Sequence, residues 1–471
     1  MKPGQTFFFY DLETSGLNPR SDRIMQFAGQ RTTPELERIG EPANFLVRLS
    51  EDILPSPDAV MVTKITPQMT RQDGLSEADF AQIFTDEIAT PNTVFVGYNN
   101  VRFDDEFMRN FLWRNFRDPY EWSWSDGRSR WDLLDVVRLV RALRPDGIKW
   151  PTVDGKATNR LELLTRENHL EHSHAHDALS DVDALIAVAK LLRDKQPKMW
   201  DYLFKMRDKK AVAKLVNLET PQPFVYASGR YAAEFEKTTV ALPLGPGRKA
   251  GAAMVYDLRA DPAAFADRSL EDLSKIANAS WEERRAENFA PLPVKELAYN
   301  RCPAVAPLGT LDAAAQKRLQ LDLKRIEKNV NYLAKNRGLA DKLLAAANSR
   351  PDFAPAADVE GQLYDGFAPD ADKAKIRAVA AADAQDLADF HPNFADERLP
   401  ELLLRYKARN FPRSLSADEK QTYDAWRAEK FQREIPKYLA GLARLANNPQ
   451  NDEFILQELQ LWAESIAPAE D

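Results

Sequence analysis

The stretch Asp11-Leu12-Glu13-Thr14-Ser15-Gly16 sets two carboxylates two residues apart, directly after an apolar run. In an extended chain alternate side chains point the same way, so Asp11 and Glu13 share a face. Side-by-side carboxylates repel and raise each other's pKa unless a cation lies between them. Oxygen-only ligands at a strand end suit a hard divalent cation such as Mg²⁺ or Mn²⁺. The plain alternative is a polar turn that Gly16 closes.

A second acidic group follows in Gly97-Tyr98-Asn99-Asn100-Val101-Arg102-Phe103-Asp104-Asp105-Glu106. Either Asp104 or Asp105 could cap the helix that starts here, or supply another metal-site carboxylate. The third group is His172-Ser173-His174-Ala175-His176-Asp177-Ala178-Leu179-Ser180-Asp181. Its histidines lack a cysteine partner, which disfavours zinc. On one regular helix a step of five would turn His176 and Asp181 apart. With His176 in the loop entering the helix and Asp181 on its second turn, both reach one site.

These groups need elements to hold them. Thr6 to Tyr10 and Thr93 to Tyr98 are short apolar runs that read as buried strands. Phe103, Phe107 and Phe111 recur at helical spacing, as do Leu133, Leu134, Val137 and Val140. Leu179, Val182, Leu185, Ile186, Ala189 and Leu192 form a longer stripe that ends near Arg193, with Asp177 placed as its N-cap. The first two hundred residues are therefore mixed α/β. From about Leu215 to Val305 short β-type runs (Phe224 to Tyr226, Thr238 to Leu242, Met254 to Tyr256) alternate with turns such as Leu244-Gly245-Pro246-Gly247. Beyond the Pro-interrupted stretch from Asn348 to Pro355, Ala, Leu, Lys and Glu at helical spacing predict an all-α domain. The expected domains are 1–196, 197–349 and 350–471.

The 471 residues accommodate about three domains. A net charge of −8 argues against nonspecific duplex binding but leaves room for a local basic groove. One cysteine, Cys302, excludes an intramolecular disulfide framework and a multi-cysteine zinc site. No apolar run reaches the roughly 18 residues of a membrane span, and the opening residues lack a signal-peptide core. The expected location is cytoplasmic.

Together DxETxG, NxxFD and HxxxxD resemble the three motifs of the DEDDh superfamily of 3′→5′ exonucleases. GYNNVRFDDE, RWDLLDV, ALRPDGIKWP and HAHDALSDV, with GQLYDGF and RYKARNFP later, are similar to the bacterial exonuclease I family. That resemblance implies an RNase H-like exonuclease domain, an SH3-like β-rich domain and a helical C-terminal domain. It also implies that Asp11, Glu13, Asp104 and Asp181 are the metal carboxylates and His176 the general base. Asp104 is chosen over Asp105 because the family has Asp immediately after Phe.

Four such carboxylates suit a two-metal site, with Mg²⁺ or substituting Mn²⁺ ions about 4 Å apart. Asp11 would bridge, Glu13 and Asp181 would complete one position, and Asp104 would support the other. The expected reaction is processive 3′→5′ hydrolysis of single-stranded DNA to nucleoside 5′-monophosphates, in repair and recombination. The resemblance further implies that the middle and C-terminal domains close around the strand, and that the partner is the acidic, Phe-terminated tail of single-stranded-DNA-binding protein. Nothing demands more than a monomer.

A single strand is held by cations on its backbone and aromatic faces under its bases. Between Arg138 and Arg160 the sequence carries a local excess of positive charge, and upstream lie interleaved aromatic and basic residues. The expected contacts are Arg160 as phosphate clamp, Tyr120 and Trp124 as stacking rings, Arg109 and Arg138 as further cations, and Glu13 at the reacting end. Trp113 and Trp131 read as core. The competing readings are an RNA exonuclease on the same fold, a noncatalytic strand-binding module and a proofreading subunit. The two accessory domains and the intact carboxylate set weigh against them.

Overall fold

A computed structural model describes residues 3–170, 177–286, 288–352 and 354–467. It resolves into two compact units. One takes in Met1–Arg130, His172–Asp183 and Ala354–Asp471, the other Trp131–Glu171 and Ala184–Phe353.

The first unit is built on β1 (Thr6–Thr14), β2 (Ile24–Thr32), β3 (Arg38–Leu46) and β4 (Thr93–Gly97), followed by helix α1 (Asp104–Arg114) and the start of the short β5 (Ser129–Asp132). The sheet order is β3-β2-β1-β4-β5. β1 pairs antiparallel with β2 and parallel with β4, with Phe9 opposite Val96. Strand alternation sorts β1 by face. Phe8, Tyr10 and Leu12 enter a core with Phe27, Phe80, Phe95, Phe107 and Phe111, while Asp11 and Glu13 point the other way. The strand is longer than its apolar run predicts, continuing through Asp11 and Glu13 to Thr14. Strands β2 and β3 went unread in the sequence. β2 is buried almost throughout, so it has no alternation, and β3 carries Gly40 and Pro42 and is largely exposed.

Helix α2 (Ala178–Lys195) starts as expected, with the Asp177 carboxylate accepting from Ser180 N at 3.1 Å. The C-terminal part of the unit is helical throughout its longer elements: α3 (Leu399–Asn410), α4 (Ala417–Ala446) and α5 (Glu453–Ile466). A capping box of Ser416 and Glu419 opens α4. Trp113 of α1 packs with Val359, Leu363, Leu399 and Leu402, so the C-terminal segment completes the core behind α1.

The second unit is a five-stranded antiparallel sheet of β6 (Phe224–Ala227), β7 (Thr238–Pro246), β8 (Ala252–Asp257), β9 (Val294–Ala298) and β10 (Ala304–Pro307). Its order is β9-β8-β7-β6-β10. The predicted turn at Leu244-Gly245-Pro246 is instead the end of β7, which a bulge at Met254/Val255 accommodates. Cys302 is buried, as are Trp131 in this unit and Trp113 in the first. No helix among the described residues is long and apolar enough to cross a membrane.

Candidate metal centre

The carboxylates of Asp11, Glu13 and Asp181 each offer an oxygen, and these oxygens lie within 4.8 Å of one another. Two residues come from the end of β1 and the third from the first turn of α2. What brings the elements together is local and legible in hydrogen bonds. Gln26 stands opposite Glu13 in the β1–β2 register. Its amide donates to the Asp177 carboxylate at 3.4 Å and to Asn44 Oδ1 at 3.0 Å, tying the cap of α2 to the sheet beside Glu13. Asp183, two residues after Asp181, pairs with Arg38 of β3 at 2.8 Å. Gly16 ends the motif because a Cβ there would lie 2.3 Å from the Asp22 carboxylate.

Asp104 opens α1, with Phe103 rather than an acid at the N-cap. The two neighbouring acids have different surroundings. Asp105 is fully buried and turned into the core. It accepts from Tyr10 Oη at 2.5 Å and Asn100 Nδ2 at 3.3 Å, and pairs with Arg130 at 2.5 Å. Asp104 is the one whose charge bears on Asp11 and Glu13. Tyr10 precedes Asp11 and Asp105 follows Asp104, so one buried bond ties the backbones that carry both outer carboxylates. The Tyr10–Asp105 pair and Gln26 went unread in the sequence. A tyrosine inside an apolar run, with an acid to spare on the helix, was the available signal.

The electrostatics are those of a site built for cations. Burial first, then Asp104, Asp181 and Glu13, push the Asp11 carboxyl well above the carboxylate range. Burial and then Asp181 and Asp104 raise Glu13 from 4.5 to about 8. The charges acting most on this pair are other carboxylates. Converging hard oxygens under mutual repulsion fit divalent cations and would be relieved by them.

His176 lies outside the described residues. Of the expected strand contacts, Trp124 is 65% exposed and open to solvent. Tyr120 is half-buried, its ring 6.0 Å from that of Phe367. Arg109 is held by Glu106 at 3.0 Å and lies over the Tyr120 ring. In the second unit Arg160 is exposed at the start of the Leu161–Glu167 helix. Arg138 is fixed to Asp135 at 2.5 Å.

Family models match along nearly the whole chain: an exonuclease model over residues 8–189, the exonuclease I SH3-like domain over 207–348 and the exonuclease I C-terminal domain over 357–466. The exodeoxyribonuclease I of Haemophilus influenzae is 39% identical over 458 residues, covering 97% of each chain. A crystal structure of Escherichia coli exonuclease I in complex with a dA16 oligonucleotide is 38% identical, with a TM-score of 0.94 over 98% of this chain and 100% of that one. The zinc-bound form of the Escherichia coli enzyme–single-stranded DNA complex is 38% identical, with a TM-score of 0.93 over 98% and 99% of the two chains.

Proposed function

The chain belongs to the exonuclease I family, and on that premise we propose that it is a processive 3′→5′ exonuclease that degrades single-stranded DNA to nucleoside 5′-monophosphates. The observation that carries the reading is the convergence of Asp11, Glu13 and Asp181 within 4.8 Å. Asp104 lies close enough to raise the pKa of both strand carboxylates. Asp11, Glu13 and Asp181 would hold one divalent ion, and Asp11 with Asp104 a second, Mg²⁺ by preference. Such ions, when bound, supply the Lewis acid that activates a water and neutralises charge on the scissile phosphate.

The chain's own residues do the rest. His176 is assigned as the base that takes the proton of the attacking water, since an imidazole is the side chain most suited to proton transfer near neutral pH. Asp177 caps α2 and thereby sets the turn on which Asp181 sits. Arg160, Arg138, Tyr120 and Trp124 are assigned to the strand, and Arg109 to ordering the Tyr120 ring. The domains are assigned as 1–196, 197–349 and 350–471, working as a monomer in the cytoplasm, in repair and recombination. The proposed protein partner is the acidic, Phe-terminated tail of single-stranded-DNA-binding protein, an assignment that rests on the family alone.

The test is a 5′-labelled single strand with Mg²⁺ and an EDTA control, beside the matching RNA, duplex and 3′-blocked strands. Metal-dependent shortening from the 3′ end, abolished in Asp181→Ala and weak on RNA and duplex, is expected. Preferential decay of RNA would overturn the substrate. Binding without cleavage under every metal tried would overturn the enzyme.

A further inference from the structure

Glu360, in the C-terminal segment, is a buried carboxylate that the chemistry above leaves unused, and each of its oxygens meets a different guanidinium. One accepts from Arg23 and the other pairs with Arg409. The remaining atoms of these two arginines hold the elements that carry the metal carboxylates.

Arg23 closes the turn that follows Glu13. Its N donates to Ser15 Oγ at 2.8 Å, and Ser15 N donates to Arg23 O at 2.8 Å. Thr14, the neighbour of Glu13, donates its hydroxyl to Gly16 O at 2.7 Å, and Ser56 N donates to Ser15 O at 2.6 Å. The end of β1 is thus bonded to the backbone of Arg23. Arg409, of α3, holds the other arm: its Nη2 donates to Arg114 O, at the end of α1, at 3.0 Å. The segment of Glu360 also reaches α1 directly, Val359 O accepting from Trp113 Nε1 at 3.2 Å.

The Tyr10–Asp105 bond joins strand and helix where α1 begins, and Glu360 joins them where α1 ends. A helix held at one end can pivot; one held at both ends has its direction fixed as well. A buried ion pair is weak evidence of stabilisation, since apolar packing often does as well. A carboxylate shared by two guanidiniums is instead a demanding geometric restraint, with directed bonds to each. Ligand oxygens for hard cations need placement to within about 0.5 Å.

We propose that Glu360 is a positioning residue for the metal centre. Through Arg23 and Arg409 it braces α1 against the end of β1, so that Asp104 stands at the spacing from Asp11 and Glu13 that cations require. The inference rests on the metal reading above, and gives Glu360 a part in the reaction without contact to the metal.

The test compares Glu360→Gln with Glu419→Gln, which strands the buried Lys407 between α3 and α4, away from both arms of the brace. Both should lower the thermal midpoint. Only Glu360→Gln should raise the Kd for Mn²⁺, by roughly tenfold in calorimetry on EDTA-stripped protein. Glu360→Asp keeps the charge between the guanidiniums and should recover most of that affinity. Arg23→Lys covers the case in which Glu360→Gln does not fold. It keeps the buried charge but gives up the simultaneous hold on Ser21 O and Glu360, and should weaken Mn²⁺ binding in the same direction. Amide hydrogen exchange of the metal-free chain reads the brace itself. The bonded amides of Ser15, Arg23 and Phe107 should lose protection in Glu360→Gln and keep it in Glu419→Gln. Unchanged Mn²⁺ affinity in Glu360→Gln and Arg23→Lys would overturn the proposal, as would losses that Glu419→Gln reproduces. A wild-type chain that binds no Mn²⁺ would overturn the metal reading and this role with it, whereas the exchange result alone decides whether the brace exists.

Discussion

Two groups of buried carboxylates in the first unit have opposite electrostatic fates. At the sheet end, Asp11 and Glu13 face other acids, and their carboxyls are driven up. Behind α1, Asp52, Glu77 and Glu360 are buried too but face Arg23, Arg114, Arg409 and Lys430. Arg114 grips Glu77 at 2.7 Å, and Arg409 Nε approaches it at 3.3 Å. Burial alone would raise the Glu77 pKa, yet the Arg114 and Arg409 guanidiniums outweigh it and hold the group at about 2. Asp52 is driven below its usual range by Lys430 and Arg23 in the same way. One cluster carries its counter-charges in the sequence, and its partners join the N-terminal loops to the C-terminal segment. In the other the charges acting most on Asp11 and Glu13 are acids, a repulsion that cations from solution would relieve.

The comparison breaks first at catalysis. Asp181→Ala should lower exonuclease turnover by roughly 10³-fold or more while leaving the thermal midpoint unchanged or raised, because it removes repulsion. Turnover on a labelled single strand and a thermal melt of the same preparation check both halves. The reverse pattern is expected behind α1. Glu77→Ala strands the buried Arg114 guanidinium and should cost about 3–5 kcal/mol of stability, read by denaturant unfolding. Activity per folded molecule should survive.

The pH dependence sharpens the contrast because the two slopes have opposite signs. Glu13 has a folded pKa of about 8 against an ordinary 4.5, so the metal-free fold holds its proton more tightly than the unfolded chain. Stability of the metal-free protein should therefore fall as pH rises from about 4.5 to about 8, and Mg²⁺ should flatten that fall. Glu77 has its folded pKa at about 2, so its contribution is complete above 4.5 and is lost as pH falls toward 2. Thermal melts across pH with EDTA and with Mg²⁺ separate the two. A smaller effect is expected at the Tyr10–Asp105 bond. Tyr10→Phe should cost about 1–2 kcal/mol in stability and weaken Mn²⁺ binding, measured by calorimetry. Arg38→Ala removes an exposed pair with Asp183 and should cost about 0.5 kcal/mol or less.

Much of the site was readable because its chemistry is local in sequence. Asp11 and Glu13 lie two apart on one strand, and the Asp177 cap announces the helix of Asp181. That two-residue step in an extended chain put both carboxylates on one face, as β1 has them. The counter-charged cluster was invisible for the converse reason. Arg23 meets Glu360, and Glu77 meets Arg409, across more than three hundred residues, and no spacing rule reaches that far. Strand β2 lost its periodicity by being buried on both faces, and β7 ran through a Gly-Pro pair that reads locally as a turn.

The central claim, that the sheet-end carboxylates are a cation site and not a polar turn, is tested most directly by titrating Mn²⁺ into EDTA-stripped protein. Calorimetry at pH 7 in buffers of different ionisation enthalpy reports both binding and protons. The account predicts saturable binding with net proton release, since Glu13, raised to about 8, holds a proton near neutrality without metal, and loss of that binding in Asp181→Asn. No binding, or binding that Asp181→Asn leaves intact and that releases no protons, would contradict it.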